Sequence, residues 1–238
     1  MVFCLWIIII FTLLYEPIIG YFEYQKFKIA VREDGNVRTK YYKKLIVDLW
    51  IPTISILLLV IVTEINLKDI GIAMPTINTG PQGSVVTYSI LIIVFLYLLI
   101  VLYNCVGYHF SSKIRKKFIQ AKESQLNTVS FSEIMPVTRE EKHIWNYVSL
   151  TAGVTEEIIY RGFLIFAFSY LFPDLSIWLV LIFTSLLFGL AHTYQGFSGV
   201  IRTTVVGVLF ACLYIGIGSI LPLIVLHFLI DYVAKLGD

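Results

Sequence analysis

Three separated stretches of this 238-residue chain place ionisable side chains among apolar neighbours: Glu156, Glu157 and Arg161 in TEEIIYR, His192 in FGLAH, and His227 and Asp231 in HFLID. By insertion scales, an ionisable group near the centre of a membrane-spanning helix costs about 2.5–3.5 kcal/mol. Such groups are expected to face the protein interior and to pair with one another. Glu157 and Arg161 are four apart, share a helix face and can form a salt bridge. Glu156 lies about 100° round an α-helix from Glu157 and has no such partner on its own helix. It is therefore the freer carboxylate, available as a base. His227 and Asp231 are also four apart, so Asp231 could orient His227 or share a ligand with it.

The same residues have structural readings. Glu157 and Arg161 could be an ion pair joining helices, Glu156 a second structural carboxylate, and His227 with Asp231 a structural pair. A lone intramembrane His192 could be a helix-to-helix hydrogen bonder. Phe188 reads as packing, against a substrate chain if one enters. Tyr160, four residues on from Glu156, is expected to line the same pocket. Two histidines and a glutamate (Glu156, His192 and His227) are sufficient ligand types for a catalytic zinc or another divalent cation. They could equally act without metal, by general-base catalysis. No HExxH is present, so the usual zincin spacing is absent.

The elements that must position these groups are membrane helices. Hydrophobic residues make up 58% of the chain and charged residues 14%, against about 25% charged in soluble domains. Cys4, Cys105 and Cys212 are an odd, scattered set that argues against a disulfide framework. The N-terminus lacks a basic leader region and a small-residue cleavage site, so it reads as a retained first span. A span needs about 20 mostly apolar residues. The candidates are 2–19, 45–62, 85–106, 145–172, 175–193, 199–215 and 219–234. The fold expected is an all-α, polytopic membrane bundle of about seven transmembrane helices. It divides into N-terminal helices over 1–146 and a catalytic bundle over 147–238.

Two hydrophilic segments interrupt the spans, 21–44 and 108–146, and each carries seven Lys and Arg residues. The link between them has only Lys68. The first contains the turn signal Asp34-Gly35, so a short helical or hairpin excursion is expected there. The second reads as loop plus an interfacial helix, and Thr138 with Glu141 has the spacing of a capping box that starts the next helix. Positive charge favours the cytoplasm, which puts both segments there, the N-terminus outside and the C-terminus inside. Glu156 and His227 are then each roughly 14 Å deep from the cytoplasmic boundary, and His192 a few ångströms deep. All three could line one water-filled cavity open to the cytosol.

E-E-x-x-x-R, F-x-x-x-H and H-x-x-x-D, in that order and on separate spans, resemble the CPBP family of intramembrane proteases. That family includes type II CAAX prenyl endopeptidases and proteins grouped with bacteriocin self-immunity. The likeness covers about Thr151 to Asp231. It implies an intramembrane endopeptidase in which Glu156 and His192 activate water for peptide-bond hydrolysis. His227 and Asp231 would stabilise the oxyanion or hold a metal, while Glu157 and Arg161 would shape the site. The family often has Asn where this chain has Asp231. An ionised Asp cannot donate a hydrogen bond to an oxyanion, which favours orienting His227 or binding a cation. The expected partners are the lipid bilayer and a peptide or membrane-protein substrate, with no nucleic acid. The alternative is a non-catalytic scaffold or immunity-type protein that retains the fold. A third reading is an ion or proton pathway, but a relay would place groups along the full membrane depth.

Overall fold

A computed structural model describes residues 1–125 and 132–236; the part of the second hydrophilic segment at 126–131 lies outside them. The described residues are all-helical and contain no strand. We label the helices α1 (Val2–Glu33), α2 (Val37–Val62), α3 (Ser84–Phe110), α4 (Ser112–Gln125), α5 (Arg139–Glu156), α6 (Ile165–Leu171), α7 (Ile177–Ala191), α8 (Gly196–Ile217) and α9 (Leu221–Ala234).

Four helical stretches are long and apolar enough to cross a bilayer: α1, α2, α3, and α8 with the short turn before it. Helix α3 shows what a lipid-facing surface looks like, with Ile92, Ile93, Phe95, Leu96, Leu99 and Ile100 all exposed. A soluble monomer rarely displays so large an apolar surface. With its apolar helices, this marks an integral membrane protein. Helices α7 and α9 have 15 and 14 residues. At the α-helical rise they reach only about 21–22 Å, short of the ~30 Å hydrocarbon core.

Helix α1 does not stop where the charged segment begins. It runs on from Val2 to Glu33, with a π-helical stretch at Tyr15–Gly20 around Pro17. Proline has no N–H to donate to the helix ladder, and a π-type turn accommodates the loss. The chain then reverses at Asp34–Asn36, where the backbone N–H of Asn36 donates to Asp34 Oδ1 at 2.9 Å. Helix α2 begins at Val37, two turns before the apolar run itself. Helix α5 starts where expected: Thr138 accepts from the Glu141 N–H, and Glu141 accepts from the Thr138 N–H.

The larger core cluster joins both halves of the chain, from Leu5 and Ile56 through Phe163 and Leu181 to Leu223 and Leu226. A smaller one, built on Tyr24, Phe27, Tyr42, Ile134, Trp145 and Val148, sits at the end carrying the basic segments. Ion pairs tie the two segments together there. Arg38 meets Glu141 at 3.0 Å, and Arg32 and Lys28 meet Glu133 at 3.2 and 3.5 Å.

This clasp carries a pH dependence. Burial pushes the Glu133 carboxyl up, but a backbone N–H, Arg32 and Lys28 together outweigh it and hold it below its ordinary range. Its stabilising contribution is therefore complete above the unfolded carboxylate value of about 4.3 and disappears as pH falls through the lower folded value. The protection of amides at the end of α1, measured against their intrinsic exchange rates, should fall in acid in the wild type. Glu133→Gln should exchange faster at neutral pH and lose that share of the acid response; an unchanged acid response in the variant would refute the assignment.

At the opposite end, the non-helical link 63–83 is stitched to the α8–α9 junction. Thr76 and Asn78 donate their N–H groups to the carbonyls of Ile217 and Gly216, and Ile220 donates to that of Gly71. Gln82 Nε2 donates to the Cys212 carbonyl at 3.0 Å and Ser219 Oγ to the Ala73 carbonyl at 2.6 Å. These bonds satisfy backbone groups that a bilayer could not.

Small residues set the helix spacing around the site. A Cβ at Gly153 of α5 would lie 3.1 Å from the Ile224 carbonyl of α9, and one at Gly189 of α7 would lie 2.9 Å from the Val200 carbonyl of α8. Close backbone approach through such residues is the usual packing device of membrane helices.

Candidate active site

Between α5 and α6 the chain winds as a π-helix over Glu157–Leu164. Glu156 is the last α-helical residue and Glu157 the first of the wider turn. The 100° separation expected of a regular α-helix does not carry into this stretch, and both carboxylates reach one histidine. His227 of α9 donates from Nδ1 to Glu157 Oε1 at 2.7 Å, while its Nε2 lies 3.8 Å from Glu156 Oε2.

The expected ion pair is present. Arg161 Nη1 donates to Glu157 Oε1 at 3.1 Å, with the two side chains only 2% and 0% exposed. Glu157 Oε1 is thus shared by Arg161 and His227. The Arg161 guanidinium also lies 4.1 Å over the Phe188 ring and 5.3 Å from that of Phe210. Flat faces suit a guanidinium that has little water around it. Phe188 therefore packs against Arg161, His192 and Tyr160, with ring separations of 4.8 Å to His192 and 5.0 Å to Tyr160.

Asp231 is placed differently from the role that its i, i+4 spacing suggested. Its Oδ2 is 3.8 Å from His227 Nε2, beyond hydrogen-bond reach, and its side chain is 32% exposed. Glu157, not Asp231, holds the His227 ring. Glu156 is the freer of the adjacent carboxylates. Its Oε2 is buried and has no hydrogen-bond partner among the described residues. His192, at the C-terminal end of α7, donates from Nδ1 to the Phe188 carbonyl at 2.8 Å. That bond selects the tautomer whose Nε2 carries the lone pair.

All of these groups but the fully buried Glu157 line one cavity of about 570 Å³. Its wall draws on both core clusters, with Tyr160, Phe188 and Phe210 from one and Trp145, Val148 and Ile134 from the other. The cavity thus occupies the seam between the two. Glu156, Tyr160, Arg161, Phe188, His192, His227 and Asp231 share its wall.

Among the described residues, no three or more His, Cys, Asp or Glu side chains are disposed to hold a metal ion, the trio Glu156, His192 and His227 included.

Sequence reasoning passed over Glu16, which lines the same cavity from the π-helical stretch of α1. The signal was available: Glu16 is a carboxylate inside the first apolar run, next to Pro17. It also passed over Trp145, whose Nε1 donates to the Asp231 carbonyl at 3.3 Å. Nothing local in the sequence indicates that the indole reaches α9.

Residues 140–233 match the family model described as type II CAAX prenyl endopeptidase Rce1-like. The match starts in the first turn of α5 and extends two residues past Asp231. No curated protein and no solved structure matches the chain.

Proposed function

We propose that this chain, whose residues 140–233 match the Rce1-like family model, is an intramembrane endopeptidase of the CPBP type. It would cleave a membrane-associated protein or peptide with water activated by Glu156 and His192. One observation carries the reading. A buried carboxylate oxygen without a hydrogen-bond partner, Glu156 Oε2, stands 3.8 Å from an oriented histidine on the wall of a chain-sized cavity.

In the reaction, Glu156 takes a proton from water as the water oxygen adds to the carbonyl carbon. It returns the proton to the amine as the C–N bond breaks. His192, its Nδ1 committed to the Phe188 carbonyl, presents Nε2 as an acceptor for the same water. His227 acts as the imidazolium: Nδ1–H donates to Glu157, and Nε2–H faces the reacting centre and supports the developing negative oxygen. Asp231, an acceptor only when ionised, lies beside that nitrogen and balances its charge. Arg161 acts through Glu157. No step is routed through a metal, because the side chains present do not form a ligand set.

The geometry also supports the proposed orientation. Both basic segments meet at one end of the bundle, where Glu23, Ser132, Met135 and Ala234 line the cavity. The positive-inside rule assigns that end to the cytoplasm, with the N-terminus outside.

The test is cleavage of a membrane-tethered peptide library by the purified protein in liposomes. The wild type should cut, His192→Ala should lose about 10²-fold or more, and a strong chelator should leave the rate unchanged. Equal cutting by wild type and His192→Ala would end the assignment of that residue. Loss with the chelator and recovery with zinc would replace the metal-free mechanism.

A further inference from the structure

Outside the catalytic cavity, a second cleft of about 380 Å³ lies where the C-terminal ends of α3 and α9 meet the first turns of α5. Its wall carries His109, Arg139, Lys142, His143 and Lys235, and no carboxylate among the described residues. Lys235 is 8% exposed. Its Nζ donates to Asn146 Oδ1 and sits 4.0 Å from the centre of the Tyr232 ring, so its partners among the described residues are an amide and a π face. Burial, with repulsion from Lys142, pulls the ammonium down to about 8. A lysine this buried ordinarily has an anion beside it.

The rim is ordered around the cleft. Tyr232 Oη and His109 Nε2 share a hydrogen bond of 3.1 Å, and Arg115 of α4 donates to the carbonyls of Tyr108 and His109, each at 3.1 Å. The level is also informative. Along α3 the exposed apolar residues continue to Val106 and Phe110, and the cationic groups begin there. That is the depth at which hydrocarbon gives way to headgroups.

We propose that this cleft binds a phosphate group, with Lys235 at its base and Arg139 and Lys142 at its rim. The phosphate could be carried by an anionic lipid headgroup or by a free phosphate compound. The site is separate from the peptidase reading and does not depend on it. Arg139 and Lys142 approach from α5 and Lys235 from α9, so a bound phosphate would bridge the two helices that carry the catalytic groups.

The full chain in detergent would be titrated with phosphatidylglycerol, with phosphatidylcholine and with inorganic phosphate. Native mass spectrometry would count bound lipid, and a thermal melt would report phosphate. The wild type should retain phosphatidylglycerol about tenfold more tightly than Lys235→Met, as expected for a lost charge-assisted contact. The double variant Arg139→Gln/Lys142→Gln, changed at exposed and half-buried positions, should lose affinity as well. Lys113→Gln/Lys117→Gln, on the exposed face of α4, should not. Stabilisation by inorganic phosphate equal to that by phosphatidylglycerol would identify a free phosphate as the source, and stabilisation by the lipid alone a headgroup. Equal retention by the wild type, Lys235→Met and the Arg139/Lys142 double variant would overturn the proposal, as would equal retention of phosphatidylcholine.

Discussion

Replacing Glu156 by Gln should reduce turnover on a cleavable membrane peptide by about 10³-fold, within the range for loss of a general base. The amide keeps the shape of the carboxyl and removes its basicity. Glu156 Oε2 is buried and has no hydrogen-bond partner among the described residues. The substitution therefore breaks no hydrogen bond at that oxygen, and the melting temperature should stay close to that of the wild type. The loss should appear in kcat and leave KM nearly unchanged, because the group acts on water and not on the substrate chain. A Gln variant that turns over at the wild-type rate would remove Glu156 from the mechanism.

The neighbouring carboxylate should behave in the opposite way. Glu157→Ala leaves Arg161, 2% exposed, without its ion-pair partner. Removing one member of a buried pair costs about 3–5 kcal/mol, a large part of the stability of most domains. The variant should melt far below the wild type in detergent and accumulate poorly in membranes. Much of that loss comes from the charge left behind, so Glu157→Ala/Arg161→Leu should recover part of it. The double variant would still lack the group that holds His227 Nδ1, so its activity should remain low. A single Glu157→Ala variant that melts like the wild type would show that Arg161 finds another partner. Together the two substitutions separate adjacent residues into one that does chemistry and one that holds the site.

Much of this arrangement was legible in the chain. The ionisable residues at apolar positions identified Glu156, Glu157, Arg161, His192, His227 and Asp231, because burying a charge without purpose is expensive wherever it occurs. The Thr138–Glu141 capping box was legible because its signal is local, two side chains three residues apart. The helical segments were also located, although hydropathy put the end of the first and the start of the second too far from the Asp34–Asn36 turn. Hydropathy measures where lipid begins, whereas the backbone stays helical past that boundary.

The pairing of His227 with Glu157 was not legible. It depends on a π-helical stretch over Glu157–Leu164, where one extra residue per turn re-aims each side chain. A periodicity argument assumes the α-helical angle and so gave Asp231 the orienting role. Glu16 was missed for a related reason. Its significance comes from meeting α5 and α9 across the cavity, a long-range relation that no spacing within α1 expresses.

The stitching of link 63–83 to the α8–α9 junction has a mechanical consequence. Backbone and side-chain bonds pin that junction from several directions. Any splaying of the bundle must pivot there, like tweezers joined at the bow. The free tips are then at the cationic rim, which, on the proposed peptidase reading, is where a polypeptide would be threaded in and the severed pieces let go.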